Sequence, residues 1–134
     1  MEKQTRRAFV AGALATGATA AASALPIRME NKRQVAHHVF FWLKNPDSKE
    51  DLNKLIEGLR TLEKIETVRS LRIGVPASTE KRDVVDNSFS ASELLFFDDV
   101  KGQNVYQEHP IHLKFVENCS SLWKKVIVYD AIDV

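Results

Sequence analysis

The chain has a single cysteine, Cys119, in 134 residues, which excludes an intrachain disulfide. The fold must then be held by its core even in an oxidising compartment. Cys119 reads as a small packing residue near a helix end rather than a nucleophile. An excess of one charge is also lacking: 19 basic and 18 acidic residues give a net charge of +1. Neutralising phosphates needs a basic face, so the composition argues against nucleic acid as a partner and gives no support for anionic lipid. No apolar run is long and hydrophobic enough to favour a bilayer span, so no stable membrane insertion is expected. Histidine is scarce, with four residues at 37, 38, 109 and 112.

The first segment differs from the rest. "MEKQTRRAFVAGALATGATAAASA" places Lys3, Arg6 and Arg7 before an uncharged Ala/Gly/Thr stretch that ends in Ala22-Ser23-Ala24. That is the layout of an export signal. Thr5-Arg6-Arg7-Ala8-Phe9 resembles the twin-arginine signal, a route that carries folded cargo and so suits a fold without disulfides. We expect residues 1–24 to be this signal, 25–35 a flexible leader and 36–134 the folded domain. Cleavage near Ala24 would remove three cations and one anion, turning +1 into about −1, and would leave an exported, periplasmic or extracellular protein.

"HHVFFWLK" predicts a strand from His37 to Lys44, with His37, Val39, Phe41 and Leu43 on one face and His38, Phe40 and Trp42 on the other. Both faces are largely apolar, so both need cover. Asp47 or Ser48 can cap the next helix, with Asp51 completing a weak capping box. Leu52, Leu55, Ile56, Leu59, Leu62 and Ile65 then recur at helical spacing. "VRSLRIGVPA" predicts a second strand with Leu71, Ile73 and Val75 inward, and "STEKRDVVDN" a loop. "FSASELLFFDD" is a third strand. Asp98 or Asp99 can cap a helix through Tyr106. His109 precedes proline and avoids helical angles, and Pro110 suits the first turn of another helix to about Cys119. "WKKVIVYDAI" is the last strand.

The order β-α-β-β-α-β is a ferredoxin-like α+β arrangement, an antiparallel sheet with helices on one face. The uncovered apolar face points to a second copy of the chain and hence a homodimer packed sheet to sheet.

Tyr106 and His112 are six residues apart, roughly 120° around a continuous helix, but a break at His109-Pro110 lets them converge. His112 can act as a general base and Tyr106 can donate to a carbonyl oxygen that gains charge; packing and backbone capping are the structural alternative. Zinc needs three or four ligands in a defined geometry. His37 and His38 point to opposite strand faces, and Pro110 disturbs any His109/His112 clamp, so neither metal nor cofactor is expected. Glu93 in an apolar strand meets solvent or, if buried, needs a partner such as His37 or His112.

The runs "AHHVFFWLKN", "LLFFDDVKGQNVYQEHPIHLKF" and "LWKKVIVYDAI" resemble the stress-responsive dimeric α/β-barrel domain, often called Dabb, over nearly the whole mature domain. The most specific piece is Tyr-x-x-His-Pro-x-His, here Tyr106, His109, Pro110 and His112; His37 aligns with a histidine early in the first strand of the pattern. The resemblance implies a dimer but no single activity, since many members are known only as stress-induced proteins. Some resemble polyketide cyclases of the olivetolic acid type, whose first Tyr and last His of this motif serve an aldol-type ring closure. Carried over, those are Tyr106 and His112. Glu93 departs from that pattern, standing where an apolar residue lines the cyclase pocket in an ungapped alignment. The resulting expectation is an exported homodimer that binds a small apolar or carbonyl compound between helices and sheet. Tyr106 and His112 would lie at the pocket mouth, with His37, Phe41, Leu59, Glu93, His109 and Trp123 around it. A polyketide-cyclase-like enzyme and a non-catalytic stress or structural dimer are the alternatives.

Overall fold

In the computed structural model residues 33–134 are described; the export signal assigned to 1–24 and most of the leader assigned to 25–35 lie outside the described residues. Four strands form one antiparallel sheet: β1 (Val35–Leu43), β2 (Ser70–Gly74), β3 (Ala91–Phe97) and β4 (Trp123–Ile132), in the spatial order β2-β3-β1-β4. Helix α1 (Lys49–Arg60) joins β1 to β2, and α2 (Val100–Glu108) and α3 (Pro110–Cys119) join β3 to β4. This is the ferredoxin-like α+β arrangement that the element order predicted. β1 starts two residues before His37 because Val35 pairs with Phe97 on one side and Ile132 on the other.

Helix boundaries follow local chemistry. Ser48 caps α1 by accepting from the Asp51 amide at 3.1 Å. The reciprocal half of a capping box is missing, since the Ser48 amide donates to the Asn45 carbonyl. After Arg60 the chain tightens into a short 3-10 turn, Thr61–Lys64, which keeps Leu62 and Ile65 in the buried stripe begun by Leu55 and Leu59. Asp99 caps α2 through the Gly102 amide. His109 is extended, ψ 138°, and Pro110 opens α3, as the steric demands of proline require.

Alternation along the strands sets the layers. On the helix side of β1, Val35, His37, Val39, Phe41 and Leu43 are buried, as are Ala91, Glu93, Leu95 and Phe97 of β3. Leu71 and Ile73 of β2 pack against this core. Val75 was expected to continue that inward set, but the strand ends at Gly74 and Val75 is largely exposed. On the other sheet face His38, Phe40, Trp42, Leu94 and Phe96 are only half-buried. Loop 75–90 touches this face, with Phe89 edge-on to Phe40 at 5.0 Å and Ser88 accepting from Trp42 Nε1 at 3.0 Å.

Candidate acid–base site

Tyr106 is the one fully buried residue of α2. Its ring lies against Phe97 (centroids 5.2 Å apart), His37 (5.7 Å) and His112 (4.6 Å). The turn at His109-Pro110 restarts the helix in a new direction, so His112 returns onto Tyr106 despite the six-residue separation. His112 Nδ1 lies 3.0 Å from the Gln107 carbonyl oxygen. A carbonyl only accepts, so Nδ1 carries the proton and Nε2 keeps the lone pair. Burial lowers the His112 pKa, the Gln107 bond opposes this, and neighbouring His37 lowers it further, so the ring is neutral at neutral pH.

Glu93 sits mid-strand in β3, opposite Val39 of β1 and Ile73 of β2, at 2% exposure. The Tyr106 hydroxyl donates to its Oε1 at 3.5 Å, the outer limit of a hydrogen bond; Oε2 is buried and has no partner among the described residues. Burial pushes the Glu93 carboxyl up to about 8, against a smaller lowering by Tyr106, so at neutral pH it is mainly the uncharged acid. Burial likewise pushes the Tyr106 hydroxyl up, reinforced by Glu93, and it stays protonated.

His37 is buried beside them, with Nδ1 2.5 Å from Asp130 Oδ1 and 3.2 Å from Gln103 Nε2. One nitrogen cannot donate to the carboxylate and accept from the amide at once. The shorter contact, to a group that only accepts, puts the proton on Nδ1. Asp130 and Gln103 escaped the reading of the sequence. The antiparallel pairing of β1 with β4 places Asp130 opposite His37, so Asp130 becomes visible once the two strands are set in register.

The other expected pocket residues are distributed more widely. His109 accepts from the Ile111 amide at 3.1 Å and pairs through Nε2 with Glu66 at 3.1 Å, so both ring nitrogens serve the helix start. Phe41 and Trp123 face each other at 5.1 Å and reach His112 only through Phe115. Leu59 is fully buried in the core. His38 points to the opposite sheet face, as alternation required. Among the described residues no three His, Cys, Asp or Glu side chains are grouped to hold a metal ion. Open clefts lie elsewhere. One of about 520 Å³ runs between α1 and α3 beside Gly58, Lys64, Ile111, Lys114 and Phe115. Another of about 110 Å³ lies on the outer sheet face beside Phe40, Trp42, Phe89 and Tyr129. Tyr106 and His112 line neither.

Residues 35–133 match the family described as the Stress responsive A/B Barrel Domain. No match was found among curated proteins. Among solved structures, the chain is similar to a Dabb family protein with a ferredoxin-like fold from Mesorhizobium loti (22% identity, 76% of this chain and 98% of that one, TM-score 0.61). It is similar to a dimeric ferredoxin-like protein of unknown function from Thermobifida fusca (13% identity, 80% and 97%, TM-score 0.61). It is also similar to a hydroxynitrile lyase from Passiflora edulis (20% identity, 77% and 95%, TM-score 0.65). At these identities the likeness concerns the fold, and several such neighbours are dimeric proteins. With the family pattern matched across β1 to β4, the chain belongs to the stress responsive A/B barrel (Dabb) domain family.

Proposed function

We propose that this chain works as an exported homodimer whose Tyr106–His112 pair binds a small carbonyl compound and moves a proton at the carbon next to the carbonyl. The observation that carries this reading is the contact of the two rings, 4.6 Å between centroids, with His112 Nδ1 committed to Gln107 and Nε2 left as the basic nitrogen. His112 Nε2 takes the proton from the α-carbon. The C–H pair becomes a C=C bond, the carbonyl π pair moves to oxygen, and Tyr106 donates its O–H to that oxygen. Return of the proton restores the ketone or aldehyde. The Tyr106–Glu93 bond is long enough to be exchanged for a bond to a ligand. A neighbour in fold is a hydroxynitrile lyase, which supports an enzymatic reading of this scaffold.

The test is α-proton exchange of acetophenone in D2O followed by NMR, with amide shifts of the protein recorded in the same titration. Acceleration by the wild type, lost by roughly 10²-fold or more in His112→Ala and Tyr106→Phe, is the expected result. The complete burial of Tyr106 and the position of the clefts favour a second reading, a dimer with no turnover. That reading predicts neither exchange nor shifts at Tyr106 and His112. Export is tested separately by mass spectrometry of the N-terminus of protein purified from its own host, with a terminus near Leu25 expected.

A further inference from the structure

Glu93 is the group in the core that the proposed proton transfer leaves unused. It has three properties that a structural carboxylate lacks. It stands in the middle of a strand whose inward neighbours are Ala91, Leu95 and Phe97, where an apolar side chain would pack without any polar cost. Its Oε1 is taken by Tyr106, while Oε2 is buried with no partner among the described residues. Among the described residues no cation offsets it: the titratable groups around it are Tyr106 of α2, His37 of β1 with its partner Asp130 of β4, and, beyond the Tyr106 ring, His112 of α3. The flanking strand positions, Val39 and Ile73, are aliphatic. A buried carboxyl without a cation is held as the acid, and its hydroxyl is then a donor that the protein does not use.

We propose that Glu93 is a ligand-contacting residue of this site, in which its carboxylic acid donates from Oε2 to the oxygen of a bound carbonyl compound beside the Tyr106 hydroxyl, restricting the site to neutral ligands with an oxygen acceptor. This rests on the acid–base reading above and deepens it. A neutral acid and a tyrosine hydroxyl side by side stabilise an oxygen that gains negative charge without presenting a charge of their own in the ground state. Glu93 in its anionic form would repel that oxygen, so binding and polarisation decline as Glu93 ionises, near pH 8. An ammonium ligand would need the anion and is selected against at neutral pH.

The experiment uses the full dimeric protein with benzaldehyde labelled with 13C at the carbonyl, and benzylamine as the cationic comparison. Wild type, Glu93→Gln and Glu93→Val are titrated with each probe at pH 6, 7 and 9. Glu93→Val restores the apolar character of the strand and is expected to fold; Glu93→Gln keeps a donor without the acid. Expected are a downfield shift of the bound carbonyl carbon in wild type, reduced at pH 9, weaker in Glu93→Gln and absent in Glu93→Val. Benzaldehyde affinity should fall at least fivefold in Glu93→Val, and benzylamine should bind at least tenfold more weakly than benzaldehyde to wild type at pH 7. Benzaldehyde binding whose carbon shift and pH profile are the same in all three proteins overturns the role of Glu93 and leaves the Tyr106–His112 reading standing. Tighter binding of benzylamine than benzaldehyde at pH 7 overturns the neutral-acid assignment. Binding of neither probe to any of the three proteins overturns both readings together.

Discussion

At the scale of the residue, the cost of burying Glu93 depends on pH, and its sign can be worked out. The carboxyl is raised from its usual 4.5 to about 8 by burial, so the folded state binds its proton more tightly than the unfolded state does. The resulting stability is fully present below pH 4.5 and is lost as pH rises through about 8. A shift of this size corresponds to a free energy on the order of a few kcal/mol. His38 and His112 act in the opposite sense at lower pH, because burial lowers both below their usual 6.5. They lose stability as pH falls through that region. The contribution of Glu93 is therefore isolated by comparison with Glu93→Gln. Urea unfolding of both proteins from pH 5 to pH 9 is expected to show the wild type losing ground steadily to the variant. Parallel curves across that range would mean that Glu93 reaches solvent or a counter-ion. Cys119 needs no such treatment, since burial pushes its thiol up and away from the reactive thiolate.

At the scale of the element, the contact of α1 with α3 is set by Gly58. A Cβ built on Gly58 would meet Cys119 Sγ at 2.5 Å and the Phe115 ring at 3.1 Å. Alanine is the better helix former by about 0.8–1.0 kcal/mol, yet this clash is large enough to reverse the sign, since overpacking typically costs about 1–3 kcal/mol. Gly58→Ala is expected to lower stability in chemical denaturation. Adding Cys119→Ala should recover part of the loss, a coupling that a double-mutant cycle measures directly. The start of α3 offers a second test. His109→Ala removes the acceptor for the Ile111 amide and is expected to cost about 1 kcal/mol, whereas Glu66→Gln should change the denaturation midpoint little, because its side chain is solvated. These elements also mark how far the sequence could be read. Strand alternation and the break at Pro110 are local, so residue order alone was enough to place them, and it narrowed the two caps to Asp47 or Ser48 and Asp98 or Asp99, of which the structure uses Ser48 and Asp99. The Gly58–Cys119 contact, the Asp130–His37 pair and the Tyr106–Glu93 bond join residues 13 to 93 positions apart. They depend on register and helix placement, which no short window encodes. His109, a pocket residue by the motif, also serves as a helix cap, with Nδ1 accepting from the Ile111 amide and Nε2 paired with Glu66.

At the scale of the whole molecule, the described residues cover the sheet with helices on one face only. The helices cover the side of Val39, Phe41 and Leu95, and the other side presents His38, Phe40, Trp42, Leu94 and Phe96 with Tyr129 largely exposed. Phe40 lies at the centre of this surface, with His38 at 4.3 Å, Phe89 at 5.0 Å and Tyr129 at 6.1 Å between ring centroids. A contiguous aromatic patch on a small domain is costly to leave in water. Loop 75–90 touches it through Phe89 against Phe40 and Ser88 against Trp42 and leaves Tyr129 largely exposed. A two-fold pairing of two such faces buries each patch against its own copy, because the same surface must complement itself, and the dimeric fold neighbours assemble on this scaffold. The chain should therefore sediment as a dimer in analytical ultracentrifugation at micromolar concentration. Leu94→Lys and, separately, Phe40→Glu, which faces Ser92 and Ile127 across the sheet, place an unpaired charge on the face without touching the helix-side core. Each is expected to shift the species to monomer while far-UV circular dichroism stays near wild type. A wild type that sediments as a monomer, or a dimer that survives both substitutions, would move the assembly surface away from this face. The monomeric variants carry a further consequence: with the aromatic face returned to solvent, they should aggregate on warming at a lower temperature than the dimer, in proportion to protein concentration.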